Sequence, residues 1–305
     1  MTNKLQHIIN LIIYIKVMWK RIYIFSLICL TACLLITGCE KDIAVDLPQP
    51  ASKVVVDGYV EPDTNIYIIL TRNSAYFAPI NVSTINVFET GANVTINDGF
   101  TTETLIEAFK GVYITPGMKG VLGRTYSLHI KTKSDEIVTA ITNLQNRVHL
   151  DSDWLKIQES MPGNDTLGYV CATLHDPDTL NNCYRWMAMR VGKDSTFIPP
   201  FGSVFEDRFV NSTTFDLAYN RGSIFNSTAD DDENDEAGFF KKGDSIIVKW
   251  CSIDRSTYEF WRDAEMQLSN NGSPFATPTG IRSNVVGGLG LFASYSPSYY
   301  YLKAK

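Results

Sequence analysis

Short runs rich in β-branched and aromatic residues recur at regular spacing along this chain of 305 residues, and they constrain its fold most. The first two runs are Lys53–Val60 and Ile66–Thr71, and Asp98-Gly99 lies between two later ones. Asp-Gly pairs favour hairpin turns because such turns need a positive φ. Strands of this length and spacing predict a mainly β fold that begins with a β-sandwich. The further runs that predict strands are 84–88, 92–96, 104–108, 111–115, 126–131, 168–175, 183–191, 213–217, 245–252 and 284–301.

The strand pattern weakens between residues 143 and 148, which predicts a domain boundary there. We therefore expect a β-sandwich over residues 53–145 and a second β-rich region over 146–305. In the second region, apolar residues at helical spacing predict one short helix near 254–271. Ser256 and Glu259 have the spacing of a capping box at its start, and Asn271-Gly272 is expected to end it.

The amino-terminal segment has the three parts of a secretory signal. Lys20-Arg21 is basic, residues 22–36 are apolar, and two small residues precede Cys39. The apolar run is shorter than the roughly 20 residues that cross a bilayer, so residues 1–38 are interpreted as a cleaved signal peptide. Cys39 is then predicted to carry lipid, and residues 39–52 to form a charged, proline-bearing tether. The long apolar stretch before Met18 indicates that translation starts at Met18.

The charge of the chain restricts its partners. Four of the 27 basic residues and none of the 33 acidic ones lie in residues 1–38, so the mature chain would hold 23 basic and 33 acidic side chains. Its net charge would be about −10, which argues against nucleic acid and against anionic lipid as partners. We therefore expect no nucleic acid, and contact with the membrane through the lipid on Cys39.

Three cysteines, Cys171, Cys183 and Cys251, would remain as thiols after processing. Cys171 and Cys183 flank the turn around Pro177, and a hairpin there would place them opposite each other. A disulfide between them would contribute ~3 kcal/mol to stability. Two buried free thiols are an equal alternative, because free cysteine is common in protein cores.

An acidic run at residues 230–236 is a weak candidate for calcium binding. Asp230, Asp232 and Asn234 have the opening spacing of a calcium loop. The later positions do not fit, because residue 235 is not glycine and residue 241 is lysine. A solvated surface loop is therefore the main interpretation, and no metal site is predicted.

Motifs for catalysis and for cofactors are missing. The sequence has no His-Glu-x-x-His, Gly-x-Ser-x-Gly or Cys-x-x-Cys motif. Gly288-x-Gly290 matches a dinucleotide fingerprint only superficially, since too few residues follow for the required helix and strand, and close strand packing explains these glycines better. His129 alternates with apolar residues and is expected to face solvent. We expect a protein that is not an enzyme and has no cofactor; paired carboxylates of a hydrolase remain the weaker alternative.

Aromatic residues are numerous in the second half of the chain. They could form stacking platforms for a sugar or a peptide, but aromatic side chains in β domains more often belong to the core. The residues concerned are Trp154, Trp186, Trp250, Trp261, Tyr295, Tyr299, Tyr300 and Tyr301.

Segments spread over nearly the whole mature chain carry a family likeness. They include Cys39-Glu40-Lys41-Asp42, Val54-Val55-Val56-Asp57-Gly58, Asn182-Cys183-Tyr184-Arg185-Trp186, Asp207-Arg208-Phe209, Ser252-Ile253-Asp254 and Gly287-Gly288-Leu289-Gly290-Leu291-Phe292. In their order and spread, these segments resemble a Bacteroidetes lipoprotein family, domain of unknown function 4249. The resemblance implies an outer-membrane lipoprotein with an immunoglobulin-like first domain, often encoded beside a TonB-dependent transporter. It implies no activity and no catalytic residues.

These observations predict a lipid-anchored protein of the outer membrane, with the charged run Glu40-Lys41-Asp42 compatible with exposure at the cell surface. We expect an accessory or substrate-capture partner of a TonB-dependent β-barrel, with its ligand unassigned. The alternatives are a stand-alone glycan-binding or structural module and, less favoured, an extracellular hydrolase.

Overall fold

The computed structural model describes residues 16, 18–27, 51–74, 87–161, 164–222, 238–270 and 280–304, without the side chains of 152–166. The chain has two compact units, Met1–Gln49 and Pro50–Lys305. In the first unit, residues 18–27 form a helical segment, α1. Within the described ranges, no helix has both the length and the apolar content needed to cross a membrane.

The second unit is mainly β, as the sequence predicts. Its described strands are β1 (Val54–Val60), β2 (Asn65–Arg72), β3 (Asn93–Asn97), β4 (Thr102–Thr104), β5 (Ile106–Phe109), β6 (Val112–Lys119), β7 (Thr125–Lys131), β8 (Ile137–Asn143), β9 (Leu150–Met161), β10 (Asn164–His175), β11 (Cys183–Arg190), β12 (Val204–Glu206), β13 (Thr214–Tyr219), β14 (Phe240–Lys241), β15 (Ser245–Ile253), β16 (Val285–Val286) and β17 (Leu289–Lys303). One helix, α2 (Arg255–Ser269), follows β15. The predicted turn at Asp98-Gly99 joins β3 to β4, and Gly99 has a φ of 90°.

An eight-stranded sheet, called the large sheet below, runs in the order β12-β11-β15-β17-β1-β2-β6-β5. Its middle strand, β17, makes two kinds of pairing. Residues 289–294 pair in parallel with β1, and residues 295–303 pair antiparallel with β15. The last strand therefore connects the first strand of the chain to the strands of its second half.

Two smaller sheets pack against one face of the large sheet and form two cores. The five-stranded sheet, in the order β16-β8-β7-β3-β4, covers a core that includes Val56, Ile68 and Phe292. The four-stranded sheet, in which β10 pairs with β9, β13 and β14, covers a core that includes Trp250 and Tyr300. Phe292 and Tyr300 point to the same face of β17 because an even number of positions separates them. The two cores are thus neighbours along one continuous sheet.

The helix α2 packs on the opposite face, against β11, β12 and β17. Its N-cap is Asp254, whose side chain accepts a hydrogen bond from the backbone N–H of Thr257 at 2.9 Å. The predicted capping box was therefore wrong, because Asp254 takes the N-cap position and leaves Ser256 and Glu259 inside the helix. Ser256 instead donates to Asp254 at 3.0 Å, and Glu259 accepts from the Arg255 side chain at 3.1 Å. The expected end at Asn271-Gly272 lies outside the described residues.

The segment around residues 143–149, where a boundary is predicted, lies along β17. The Ser294 hydroxyl donates to the carbonyl oxygen of Asn143 at 2.7 Å, and the Ser296 hydroxyl donates to that of Gln145 at 2.5 Å. Ser298 lies 3.2 Å from the imidazole of His149. Alternate serines of one strand therefore hold this segment, although its sequence lacks a strand pattern. The division into 53–145 and 146–305 stays a prediction.

Candidate functional site

Several residues singled out from the sequence lie outside the described part of the chain. These are Cys39 and the acidic residues Asp230, Asp232 and Asn234. Within the described part, no three His, Cys, Asp or Glu side chains converge to hold a metal ion. His129 is exposed on β7, as its alternation with apolar residues indicates.

Cys171, Cys183 and Cys251 are buried, and no disulfide joins them in the structure. The hairpin expected around Pro177 does not form, because β10 and β11 belong to different sheets. Cys171 lies in the four-stranded sheet, and Cys183 lies in the large sheet opposite Ile253. The geometric argument for a disulfide between Cys171 and Cys183 was therefore wrong. Burial raises the pKa of the Cys183 thiol to about 12, although the nearby Arg255 acts in the opposite direction.

Most of the aromatic residues considered as stacking platforms belong to the cores. Trp186 and Trp250 are fully buried, with ring centroids 6.3 Å apart, and Tyr300 is buried in the same core. Tyr299 and Tyr301 are exposed at the end of β17. Accessible aromatic surface is therefore confined to a few of these residues, and the side chain of Trp154 is among those not described.

The glycines near the start of β17 permit close strand packing. Gly290 has a φ of 100°, and a Cβ atom added to it would lie 2.0 Å from the carbonyl oxygen of Val56. A Cβ atom on Gly288 would lie 2.8 Å from the carbonyl oxygen of Val54. No side chain larger than hydrogen fits between β1 and β17 at these positions.

A polar cavity of about 610 Å³, called the junction cleft below, lies between residues 145–148 and the turn that joins β10 to β11. Three parts of the chain line it: residues 145–148, the turn between β10 and β11, and the ends of β11, β15 and α2 that face that turn. Its lining residues are Gln145, Asn146, Arg147, Val148, Pro177, Thr179, Leu180, Asn181, Asn182, Cys183, Tyr184, Ser252, Ile253 and Arg255. The volume lies in the range of small-molecule sites.

Buried carboxylates behind the turn hold this wall of the cleft in place. Asp207 accepts hydrogen bonds from the backbone N–H groups of Asn181 and Asn182 at 3.1 and 3.0 Å. Asp176 accepts one from the Tyr184 hydroxyl at 2.5 Å. Both carboxylates are almost fully buried and are hydrogen-bonded to these donors. Asn181 adopts a φ of 71°, a left-handed conformation that asparagine tolerates better than most residues.

The opposite wall is held by the large sheet. The backbone N–H of Val148 donates to the Ser252 hydroxyl at 3.0 Å, and Arg147 Nε donates to the carbonyl oxygen of Pro297 at 3.0 Å. Together with the serine contacts along β17, these bonds fix residues 143–148 against β15 and β17. Hydrogen bonds within the chain thus hold both walls of the cleft in place without a ligand.

The charged side chains that line the cleft are basic, although the whole chain is acidic. No Asp or Glu is among its lining residues in the described part of the chain, and two arginines are. Arg255 is neutralised, because its guanidinium contacts Glu206 and Glu259. Burial alone would raise the pKa of Glu206, but the hydrogen bond and charge of Arg255 lower it overall. Arg147 has no carboxylate partner among the described residues, so it supplies the net charge.

A buried cation, Arg185, lies under α2. Arg185 is only 4% exposed, and its guanidinium carbon lies 3.6 Å from the ring centre of Trp261. The Tyr295 hydroxyl accepts hydrogen bonds from Arg185 Nη1 at 3.0 Å and from Trp261 Nε1 at 2.7 Å. No carboxylate pairs with Arg185 in the described ranges. This arginine is stabilised by an aromatic face and a hydroxyl, which attaches α2 to the large sheet.

The roles of the arginines and amides of these sites were not predicted from the sequence. Arg147 stands in the polar stretch that indicates a boundary, and Asn181 stands in the turn after Pro177. Arg185 belongs to one of the family-like segments, but no role follows from that likeness. A charged residue inside an otherwise apolar strand was the one available signal for Arg185.

Comparison with known proteins identifies the family of the chain. No curated protein matches it. A family model described as a domain of unknown function (DUF4249) matches residues 40–300, which include every element of the second unit except the last residues of β17. Because this match covers most of the chain, the protein belongs to the DUF4249 family.

Proposed function

We propose that this protein is a Bacteroidetes outer-membrane lipoprotein that captures a ligand in the junction cleft for a TonB-dependent transporter. In this proposal it catalyses no reaction. The observation that carries the proposal is the junction cleft itself, a preformed polar cavity within a fold that belongs to a family of unknown function. A cavity whose walls are held by internal hydrogen bonds suits ligand capture, because little ordering is needed on binding.

The sequence before the fold supports anchoring. The family match begins at residue 40, directly after Cys39, and the compact second unit begins at Pro50. A chain segment between Cys39 and Pro50 could span at most about 40 Å when fully extended. A lipid on Cys39 would therefore keep the cleft close to the membrane, where a transporter could receive the ligand.

The anchoring step is tested with a Cys39→Ala variant expressed in the native host. We expect wild-type protein to incorporate labelled fatty acid and to sediment with the outer membrane, and the variant to lose both properties. Cys33→Ala is the matched control, since it removes a thiol from the apolar part of the leader and should leave acylation unchanged. Equal labelling of the wild type and of Cys39→Ala would contradict the proposal.

The partner is tested by affinity capture of tagged, full-length protein from detergent-solubilised outer membranes. We expect a TonB-dependent β-barrel to co-purify with the wild type in a stoichiometric amount. Conditions that preserve known barrel complexes provide the reference. Recovery of the lipoprotein without any barrel under those conditions would count against a transporter partner and would favour a stand-alone surface module.

A further inference from the structure

We propose that the junction cleft binds a small carboxylated carbohydrate and that Arg147 holds its carboxylate group. This inference rests on the proposed function in one respect, because it takes the cleft as the site of ligand capture. It adds the chemical class of the ligand and the residue that selects it.

The charge of Arg147 indicates that the ligand is an anion. Its Nε is used by the carbonyl oxygen of Pro297, but its two terminal nitrogens have no partner among the described residues. An arginine is always charged in proteins, and its terminal nitrogens can hold a carboxylate through two parallel hydrogen bonds. No acidic side chain lines the cleft in the described part of the chain, and Arg255 is already paired with Glu206 and Glu259, so Arg147 is the lining charge that an entering anion would meet. The cleft therefore selects for negative charge within an acidic protein.

The side-chain amides of the cleft indicate that the ligand bears hydroxyl groups. Gln145, Asn146, Asn181 and Asn182 all line the cleft. The Gln145 amide nitrogen donates to Asn143 at 2.8 Å, and the Asn182 amide nitrogen donates to Thr179. The side-chain amides of Asn146 and Asn181 have no partner in the described ranges. An amide offers a donor and an acceptor on one group, which matches the hydroxyl groups of a sugar, since each of these also donates and accepts. Hydroxyl-rich acids fit this lining better than acids without hydroxyl groups.

The size and shape of the cleft suit a ligand of a few sugar rings. The cavity of about 610 Å³ is large enough for a ligand of a few sugar rings. Leu180 is 73% exposed and, together with Pro177, forms an apolar part of the wall. This surface can pack against the C–H faces of a sugar ring while the amides bind its hydroxyl groups. The turn that carries Leu180 is held by Asp207, so the wall is in place before a ligand binds.

The inference is tested by calorimetric titration of the full mature protein with trigalacturonate. We expect binding by the wild type and at least a tenfold loss of affinity in Arg147→Gln. Lys110→Gln is the charge-matched control, because Lys110 is exposed on the turn between β5 and β6, and it should bind like the wild type. Asn181→Gly removes a free amide and keeps the left-handed backbone conformation, and it should weaken binding as well. Circular dichroism and thermal unfolding of each variant show whether it is folded.

Three further probes separate the ligand classes. Fully methyl-esterified trigalacturonate keeps the sugar and loses the charge, and we expect its affinity to be at least tenfold lower. Triglutamate and inorganic phosphate keep the charge and lose the sugar, and they should also bind more weakly than trigalacturonate. The inference is overturned if no probe binds, if Arg147→Gln binds trigalacturonate like the wild type, or if a sugar-free anion binds as tightly. Capture of a β-barrel without binding of trigalacturonate would overturn this inference alone, and the reverse result would overturn only the transporter role.

Discussion

The Asp254 carboxylate accepts a hydrogen bond from the Thr142 hydroxyl at 2.9 Å, which joins the start of α2 to the end of β8. The same oxygen accepts the backbone N–H of Asn143 at 3.2 Å, while the other oxygen caps α2 at Thr257. Asp254 is 8% exposed, and its donors Thr142 and Thr257 are at most 1% exposed, so these bonds have little access to water. One side chain therefore caps the helix and fixes the segment that leads into the junction cleft.

Replacing Asp254 should reveal both roles. We expect Asp254→Ala to lower the free energy of unfolding by about 3 kcal/mol, because it removes a helix cap and leaves buried donors unpaired. Asp254→Asn keeps one acceptor oxygen and should cost less. The measurement is urea unfolding of both variants, of Thr142→Ala and of the Asp254→Ala, Thr142→Ala double variant. Strictly additive effects in this cycle would show that the two side chains are not coupled.

Gly290 permits the pairing of β1 with β17. Its φ of 100° and the 2.0 Å approach of an added Cβ atom to the carbonyl oxygen of Val56 leave no room for a side chain. We expect Gly290→Ala to destabilise the protein by about 3 kcal/mol or more, because strain and a backbone clash act together. Gly280→Ala is the control, since no atom of the described residues lies within 4 Å of its added Cβ atom. Equal midpoints of urea unfolding for the two variants would contradict this role.

The environment of Arg185 leads to an unusual order of stabilities. Arg185→Met removes the buried charge and keeps much of the side-chain volume. We therefore expect its free energy of unfolding to lie within about 1 to 2 kcal/mol of the wild-type value. Arg185→Lys keeps the charge but loses the flat contact with Trp261, and we expect a loss of about 3 kcal/mol. Urea unfolding followed by tryptophan fluorescence measures both. A lysine variant more stable than the methionine variant would show that the charge itself is needed.

Asp98 makes stability depend on acid pH. The backbone N–H of Thr101 contributes most, and Phe100 N–H and Arg124 add to it, so that the pKa of Asp98 falls from its ordinary 3.8 to about 2 despite burial. A carboxylate with a lowered pKa in the folded state stabilises the fold above pH 4, and this contribution is lost as the pH falls toward 2. We expect a loss of about 2 kcal/mol across that window. In Asp98→Asn this part of the pH dependence should be absent.

The matched control for Asp98 is Asp135→Asn. Asp135 forms an ion pair with Lys131, but its side chain is 80% exposed. Exposed pairs of this kind contribute little to stability. The pH profile of Asp135→Asn, measured by unfolding at pH 2 to 6, should therefore follow that of the wild type. A profile of Asp98→Asn that also follows the wild type would contradict the role of Asp98.

The three thiols should be unreactive in the folded protein. Burial raises the pKa of Cys183 and of Cys251 to about 12, so almost no thiolate is present at pH 8. We expect iodoacetamide to leave Cys171, Cys183 and Cys251 unmodified in the native protein and to modify all three after unfolding in guanidinium chloride. Mass spectrometry counts the added groups. A single modified thiol after unfolding without reductant would show that two cysteines are bridged.

Local patterns predicted a large part of the fold. The strands β1, β2, β7 and β11 lie within a residue or so of their predicted positions, because alternation and β-branched residues are local signals. The helix α2 was predicted from its spacing, although its cap was not. β8, β12 and β14 have no counterpart among the predicted strands. Of the residues that line the cleft, Pro177 and Cys183 were considered only for a turn and a disulfide. Asn182, Tyr184, Ser252 and Ile253 entered only as parts of family-like segments.

The amino-acid sequence by itself determined the mainly β class and the family, and it predicts a leader that ends before Cys39, because each depends on residues close together or on their order along the chain. The tertiary structure alone decided the position of β17 between β1 and β15, the buried setting of Arg185 and the junction cleft. These depend on partners that are distant in sequence, such as Ser296 and Gln145, which are 151 positions apart. A local pattern shows that a side chain can form a hydrogen bond, but only the fold decides which group it meets.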